Sequence, residues 1–360
     1  MVLGKEEIEK LRNRIDKLDN EVLLLINKRV GLAKTIGMAK KQSDNKTIYR
    51  PDREAQIIKS LIGINEGPLS ATQVQNIFRE IISISRAAEA PLQISFLGPE
   101  GTYSELAVRK HFGTEVNQIF CTTIEEVFSA VEKDQAKIGV VPVENSTEGG
   151  VSNTLNCLIT TTLSIVGEVV LRIDHALLGR SSSINDVDTV FAHQQALAQC
   201  SHWLNHHAPQ AHRIAVSSNA EAARRVGTTN NSAAIASEAA AEIYGLPIIA
   251  QNIQDENQNS TRFLIISKEQ VESSSSDKIS LLLSSHNQAG SLHRLLAPLS
   301  DNGISMTRIE SRPSRVGLWE YIFFIDIDGK LSDVNVGIAL DTIEKEAALF
   351  KILGCYPRAI

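Results

Sequence analysis

Four cysteines in 360 residues are too few and too scattered for a disulfide framework. Cys121, Cys157, Cys200 and Cys355 form no C-x-x-C pair, so a zinc knuckle has no support and a reducing cytoplasm fits. No apolar run approaches the roughly 20 residues that a bilayer span needs. Lys5, Glu6 and Glu7 leave no room for the apolar core of a signal peptide. A basic excess is missing too: the formal net charge is −6, which argues against a nucleic-acid binder. The middle of the chain has neither G-x-G-x-x-G nor a P-loop, so no NAD or ATP is implied and no cofactor is expected. His202 and His206 stand at i, i+4 but lack a third ligand and an H-E-x-x-H context. They are expected on a solvated helix face, with no metal site. What remains is the composition of an ordinary globular protein, 42% hydrophobic and 22% charged, long enough for two or three domains.

Residues 1–91 read as helix alone. Leu11, Ile15, Leu18, Val22, Leu25, Leu32 and Ile36 fall in steps of three, four and, once, seven, which draws one apolar stripe along a helix from about Lys5 to Lys41. Arg29 occupies a position where that stripe calls for an apolar residue. A guanidinium cannot shed its charge to tolerate burial, so an anion is expected beside it. Lys40 lies eleven residues on, three turns at about 100° per residue, and points the same way. Arg12 lies seventeen residues before Arg29 and roughly 100° round the helix, so it can serve only a pocket on a neighbouring chain. A second helix begins at "YRPDRE", with Pro51 at its first position and Arg53 and Glu54 in its first turn. A third begins at "LSATQV", where Ser70 and Gln73 form a capping box, and carries Ser85 and Glu89 at i, i+4. Two short helices only partly cover so long a stripe, so a dimer of helical hairpins is expected.

Residues 92–267 change to alternating strands and helices, the grammar of an α/β domain. Three polar clusters end or follow apolar strands. "FLGPEGTYS" offers Thr102 and Ser104 at a helix start, a ready anion site. "VPVENSTEGGV" groups Glu144, Asn145, Ser146 and Thr147. "NQNSTRFLIIS" sets Thr261, Arg262 and Phe263 at a strand opening, where α/β proteins bind ligands. "QALAQCSHWLNH" reads as one helix bearing Gln199. A Ser-rich polar linker, 267–278, precedes residues 277–360. There the order of elements is βαββαβ, a ferredoxin-like sandwich.

The N-terminal pattern "LRNRIDKLD…INKRVGLAKTIGMAK…YRPDRE…FREIISISRAAE" resembles the all-helical chorismate mutase family over residues 1–90. The resemblance implies a pocket formed by Arg29, Lys40, Arg53, Glu54, Ser85 and Glu89, flanked by Arg50 and completed by Arg12 of a partner chain. The chemistry suits such a pocket. Chorismate becomes prephenate by a [3,3] rearrangement that needs no nucleophile, only a held conformer and stabilisation of charge on the breaking ether oxygen.

The middle segment, with "HQQALAQC" and "SNAEAA" added to the three clusters, resembles the prephenate dehydratase domain. That implies two α/β lobes around a cleft, similar to type II periplasmic binding proteins. It also implies that Thr261 assists departure of the ring hydroxyl, with Glu144, Asn145 and Gln199 tuning it. Thr102, Ser104, Ser146, Arg262 and Phe263 would then bind substrate. Where that family has Ser-His-Pro-Gln this chain has Ala192-His193-Gln194-Gln195. The C-terminal segment resembles an ACT domain. Its effector motifs would be Gly290, Ser291 and Leu292, then Glu310, Ser311, Arg312 and Pro313, with L-phenylalanine as effector; Ser291 stands where that family usually has Ala. The expectation is therefore a multidomain cytoplasmic enzyme of phenylalanine synthesis, dimeric or larger: an all-α domain, a two-lobed α/β domain and an α+β sandwich. Its rivals are a non-enzymatic amino-acid sensor and a dehydratase that also accepts arogenate.

Overall fold

The apolar stripe of the N-terminal segment is helical throughout, as α1 (Lys5–Lys41), followed by α2 (Pro51–Gly63) and α3 (Ala71–Glu89). The computed structural model describes residues 4–42, 48–181, 183–270, 278–285, 288–313 and 321–359. The chain divides into two units. One takes in Met1–Arg50, Ile57–Leu92 and Phe112–Asn117; the other holds the rest.

In the first unit α1 packs against α3. Gly37 is the one buried residue of α1, and a Cβ there would lie 2.7 Å from the Glu89 carbonyl oxygen, so glycine sets how closely the two helices approach. The α3 capping box forms as expected: Gln73 N–H donates to Ser70 Oγ at 3.2 Å and Ser70 N–H to Gln73 Oε1 at 2.8 Å. The stripe is another matter. Leu11, Ile15, Leu18, Val22, Leu25, Leu32 and Ile36 are 41–66% exposed, so a single chain leaves it uncovered.

The second unit starts with β1 (Gln93–Leu97), α4 (Tyr103–Phe112), β2 (Asn117–Cys121), α5 (Ile124–Glu132), β3 (Ile138–Asn145), β4 (Gly149–Gly150), α6 (Ser152–Thr160) and β5 (Ser164–Arg172). The chain then crosses to a second sheet through β6 (Ala176–Gly179), β7 (Thr189–His193), α7 (Gln194–Gln199), α8 (Ser201–His207), β8 (His212–Val216), α9 (Asn219–Val226), β9 (Ser232–Ala236), α10 (Glu238–Tyr244) and β10 (Ile248–Ala250). It returns as β11 (Ser260–Ser267). The first sheet has the order β2-β1-β3-β11-β5, with β4 on β3, and the second β10-β6-β9-β7-β8. The two crossings are stitched together, Ile173 N–H to Asn259 O and Ile253 N–H to His175 O, each at 2.9 Å. The helix expected over "QALAQCSHWLNH" is two helices. The Asp255 carboxylate takes the N–H groups of His202 and Trp203 at 3.0 Å, and the Asp255 N–H reaches Gln199 O, so a returning loop breaks the run at Cys200.

Within the first sheet β11 runs antiparallel to β3, pairing Thr261 with Asn145 and Arg262 with Glu144. Successive strand residues point to opposite faces. Thr261 and Asn145 therefore share one face, and Arg262 and Glu144 the other.

The C-terminal elements are β12 (Lys278–Ser284), α11 (Ser291–Asp301), β13 (Met306–Pro313), β14 (Tyr321–Asp328), α12 (Val334–Glu346) and β15 (Leu349–Tyr356). The start of the expected strand "WEYIFFIDIDG", Trp319 and Glu320, lies outside the described residues, as do residues 271–277 of the Ser-rich run. The antiparallel order β13-β14-β12-β15 is that of a ferredoxin-like sheet. One face packs on α11 and α12 through Leu281, Leu283, Leu295, Phe323, Val336 and Ile343. The other shares a core with the first sheet, Leu282, Phe324, Leu353 and Tyr356 meeting Val143, Leu155, Ile165 and Leu264. A Cβ on Gly354 would collide with the Ile165 carbonyl, so the close approach of β15 to β5 needs glycine there. Lys351 Nζ reaches the carbonyls of Leu158 and Thr161, at 3.2 and 2.5 Å, and caps the end of α6. The polar linker thus separates in sequence what packing joins.

Candidate functional site

The first cluster lies between α1 and α3. Arg29 Nη1 donates to Ile81 O at 3.2 Å and to the Ser85 hydroxyl, and Lys40 Nζ donates to Glu89 Oε1 at 2.6 Å. The side chains of Lys40 and Glu89 are 25% and 14% exposed. The i, i+4 pair of α3 thus meets the in-phase cations of α1, and contacts ascend along both helices together. Arg12 is exposed on α1, about 25 Å up the helix from Arg29 at 1.5 Å per residue, and takes no part in the cluster. Arg50 occupies the N-cap position of α2, and Arg53 and Glu54 lie in its first turn.

The second cluster sits at the ends of β3 and β11. Asn145 Nδ2 donates to Asn259 Oδ1 at 2.8 Å, Asn259 Nδ2 to Gln199 Oε1 at 3.1 Å, and Gln199 Nε2 to Thr147 Oγ1 at 3.2 Å. The Thr147 hydroxyl closes the ring on Asn145 Oδ1 at 2.6 Å. Four side chains thus donate in one circular sense, an arrangement in which each bond polarises the next. The ring spans both sheets, since Gln199 ends α7 beside the second and Asn145 ends β3 in the first. Asn145 Nδ2 also donates to Thr261 Oγ1 at 3.0 Å. That fills an acceptor position on the threonine and leaves its own proton to be given outward. A cleft of about 310 Å³ opens beside the ring, lined in part by Thr147, Glu148, Gln199, His202, Asp255 and Asn259.

Other residues picked from sequence stand elsewhere. Arg262 and Glu144 are on the opposite face from Thr261. Arg262 Nε binds Glu168 at 2.7 Å, Nη1 binds Asp326 at 2.5 Å, and Nη2 binds Tyr356 at 2.9 Å. Burial by itself would lower the Arg262 pKa, but Tyr356, Asp326 and Glu168 more than reverse that, so the charge is held firmly. Glu144 Oε2 pairs with Arg308 Nε at 2.8 Å. Both residues therefore fasten β3 and β11 to the C-terminal sheet. Phe263 is 2% exposed, inside the core. Ser146 stitches its loop to β11 by accepting from Ser260 N–H at 2.9 Å and donating to Gln258 O at 3.1 Å. The anion site expected at the start of α4 is filled from within. Gly101 N–H donates to the Glu105 carboxylate at 2.7 Å, the Thr102 hydroxyl turns to Leu97 O at 3.0 Å, and Ser104 is buried.

Sequence reasoning missed Asn259 and His175, and placed Thr147 in its polar cluster without giving it a site role. Asn259 stands two residues before Thr261, on the same face by strand alternation, which was the available signal. Thr147 bonds Asn145 two residues away, whereas His175 enters only through the meeting of distant stretches of chain.

In the C-terminal sheet Gly290 adopts φ +79° ahead of α11, a left-handed conformation that suits glycine. Ser291 donates to Gln288 O at 2.6 Å and Leu292 is 38% exposed. Arg308, Glu310 and Arg312 alternate along β13 with the more exposed Ser311 and Pro313. Arg312 donates to Ser152 O at 2.8 Å, and a Cβ on Gly150 would come within 2.9 Å of Glu310 Oε1. This edge strand therefore touches the loop that continues from Asn145 and Thr147.

Comparison with known proteins agrees along the whole chain. Models for chorismate mutase type II, prephenate dehydratase and the ACT domain match residues 11–90, 94–271 and 279–336. The bifunctional chorismate mutase/prephenate dehydratase of Neisseria gonorrhoeae is 47% identical over 97% of this chain and 96% of its own. That of Pseudomonas aeruginosa is 44% identical over 99% of both. The crystal structure of prephenate dehydratase from Arthrobacter aurescens in complex with L-Phe covers 74% of this chain and 90% of its own, with a TM-score of 0.69 at 31% identity. Helical, two-sheet and ferredoxin-like parts, in that order and at these identities, place the chain in the family of bifunctional chorismate mutase/prephenate dehydratases.

Proposed function

We propose that this chain performs both steps itself, chorismate to prephenate in the helical unit and prephenate to phenylpyruvate in the two-sheet region, under control by L-phenylalanine at its C-terminal domain. In the first step Arg29 pairs with a substrate carboxylate, and Lys40 gives a hydrogen bond to the ether oxygen as it breaks from carbon. Glu89 positions Lys40 and, in its protonated form, donates to that oxygen as well, Ser85 orients Arg29, and Arg53 and Glu54, with Arg50 beside them, complete the wall. The cations act because negative charge grows on that oxygen only in the transition state. Arg12 acts in the pocket of a second copy, and the uncovered stripe of α1 is the surface on which that copy packs. The protein works as a homodimer or a larger assembly in the cytoplasm.

In the second step the ring carboxylate leaves as carbon dioxide, its electron pair enters the ring, and the carbon–hydroxyl bond breaks. The departing hydroxide must gain a proton. Thr261 hydrogen-bonds to it and relays a proton drawn from solvent, so its own hydroxyl is regenerated, and Asn145 already fills an acceptor position of the threonine. That single hydrogen bond, 3.0 Å long, carries the reading. L-phenylalanine binds around Gly290–Leu292 and Glu310–Pro313, and its effect reaches Asn145 through the loop that Glu310 and Arg312 touch. The test is direct. Purified protein given chorismate should release prephenate and then phenylpyruvate, and L-phenylalanine should suppress the second product. Failure to convert supplied prephenate would remove the dehydratase assignment.

A further inference from the structure

The hydrogen-bond ring has one input that the reaction as derived does not use. His175 lies where the chain crosses from β5 to β6 and is 2% exposed. Its Nε2 is 2.9 Å from Gln199 Oε1, and its Nδ1 is 2.9 Å from the Tyr103 hydroxyl. Its backbone is pinned as well, since its N–H donates to Gln254 Oε1 at 2.9 Å and its carbonyl accepts from Ile253 N–H at 2.9 Å.

The sense of the ring decides where the imidazole proton sits. Gln199 Nε2 faces Thr147 Oγ1 and Glu148 Oε1, so Gln199 Oε1 faces Asn259 Nδ2 and His175 Nε2. A lone pair on His175 Nε2 would confront the lone pairs of that oxygen, so Nε2 carries hydrogen; Nδ1 then competes with the Asp174 carbonyl, 2.7 Å from the Tyr103 oxygen, for the one hydrogen of the Tyr103 hydroxyl. The opposite tautomer would favour a turned Gln199 amide, placing two donors face to face at Asn259. Turning the whole ring would bring Asn145 Oδ1 to Thr261, where it would take the proton that the reaction needs.

We propose that His175 is a positioning residue of the dehydratase: its Nε2–H holds the Gln199 amide, the amide holds the sense of the ring, and the ring keeps the Thr261 proton free. The inference rests on the reading of Thr261 as donor. Asn145 Oδ1 also accepts from the backbone N–H groups of Thr147 and Glu148, at 3.1 and 3.3 Å, so loss of His175 loosens the ring without inverting it. Because Gln199 bridges the two sheets, the same bond also ties the orientation of Thr261 to the arrangement of the two sheets.

The test compares His175→Leu with His175→Gln, whose amide nitrogen can reach the position of Nε2. With supplied prephenate, His175→Leu should lower kcat about 30-fold and leave KM within about threefold, as expected for one lost buried hydrogen bond acting on a turnover step. His175→Gln should recover most of the loss. In a Gln199→Leu background, His175→Leu should cost no more than about twofold, because its route is already cut. Losses that add fully, or no rescue by glutamine, would overturn the proposal while leaving Thr261 in place. If wild-type protein fails to turn over prephenate, the function assignment fails instead. Should His175→Leu not fold, nitrogen-15 NMR of the wild-type protein decides the matter, with the signal identified by its absence in His175→Gln. A neutral Nε2–H tautomer is expected, and an Nδ1–H tautomer would contradict the proposal.

Discussion

The two candidate sites differ in what one chain supplies. The dehydratase ring closes within a single copy, every donor finding its acceptor among Asn145, Asn259, Gln199 and Thr147. The helical cluster brings Arg29 and Lys40 to Ser85 and Glu89, but leaves Arg12 exposed far up α1 on a helix whose apolar stripe is uncovered. The difference teaches that a complete-looking pattern in sequence can close within one chain in one fold and be left uncovered by that chain in another. It also separates the activities: the mutase should depend on assembly, and the dehydratase reaction on ring geometry.

The sharpest break in that comparison is a single side chain at each site. Arg29→Ala should reduce chorismate consumption by about a thousandfold while supplied prephenate is still converted within about twofold of normal. Thr261→Val should do the reverse, with about a hundredfold or greater loss in dehydratase kcat and an unaltered mutase rate. Loss of both activities in a folded variant would sink the two-site account.

A charge on the stripe comes next. Leu18→Asp should shift the protein toward smaller species in sedimentation and lower mutase activity by about 30-fold or more. Dehydratase activity should stay within about threefold. An unchanged sedimentation profile would show that the stripe is not the interface.

Asp326→Asn probes the other side of the catalytic strands. Arg262 would remain buried with one carboxylate partner removed, and breaking such a pair costs about 3–5 kcal/mol. Calorimetry should register that loss in the second unit, and inhibition by L-phenylalanine should weaken. The shared core means that simply cutting the chain at the Ser-rich run would expose Val143, Leu155 and Leu264. Truncation would therefore confound loss of regulation with loss of stability, which the point variant limits. An unmoved inhibition curve in Asp326→Asn would show that the effect of L-phenylalanine does not pass through the Arg262–Asp326 contact.

The smallest effect is a pH dependence. Burial lowers the His175 pKa, and the Gln199 hydrogen bond and nearby Asp174 restore only part of it. An unfolded histidine protonates near 6.5. Above that value neither state binds the proton and His175 contributes nothing to pH dependence. As pH falls from about 6.5 through the lowered folded pKa, the unfolded state gains protons first and stability declines. His175→Gln should flatten that part of a melting-temperature profile; an identical slope would place the acid sensitivity elsewhere.

Much of the fold could be read from local pattern. Period-three-and-four steps located α1, the Ser70–Gln73 box located the start of α3, and the βαββαβ order identified the C-terminal sheet. Strand faces were harder. Thr261, Arg262 and Phe263 looked like one functional triplet, yet a pleated strand sends Arg262 to the face opposite Thr261, and Phe263 is buried in the core. Glu144 and Asn145 divide in the same way. The ring itself depends on Thr147, Gln199 and Asn259 meeting from three separate stretches of chain, which no local period announces. The anion site at the start of α4 failed for a local reason that was readable: Glu105 follows within one turn and can fill it.

Complementation tests the central contrast most directly. Arg12→Ala and Arg29→Ala chains, each inactive as a mutase alone, would be co-expressed in equal amounts. If Arg12 serves the partner's pocket, a mixed dimer has one pocket with both arginines intact and one with neither. Random pairing should then restore about a quarter of wild-type mutase activity. Dehydratase activity should stay unchanged in either chain and in the mixture. Mutase activity that stays at the level of the separate variants, in a mixture shown to contain mixed dimers, would mean that Arg12 does not act across the interface and that the helical site is not shared between chains.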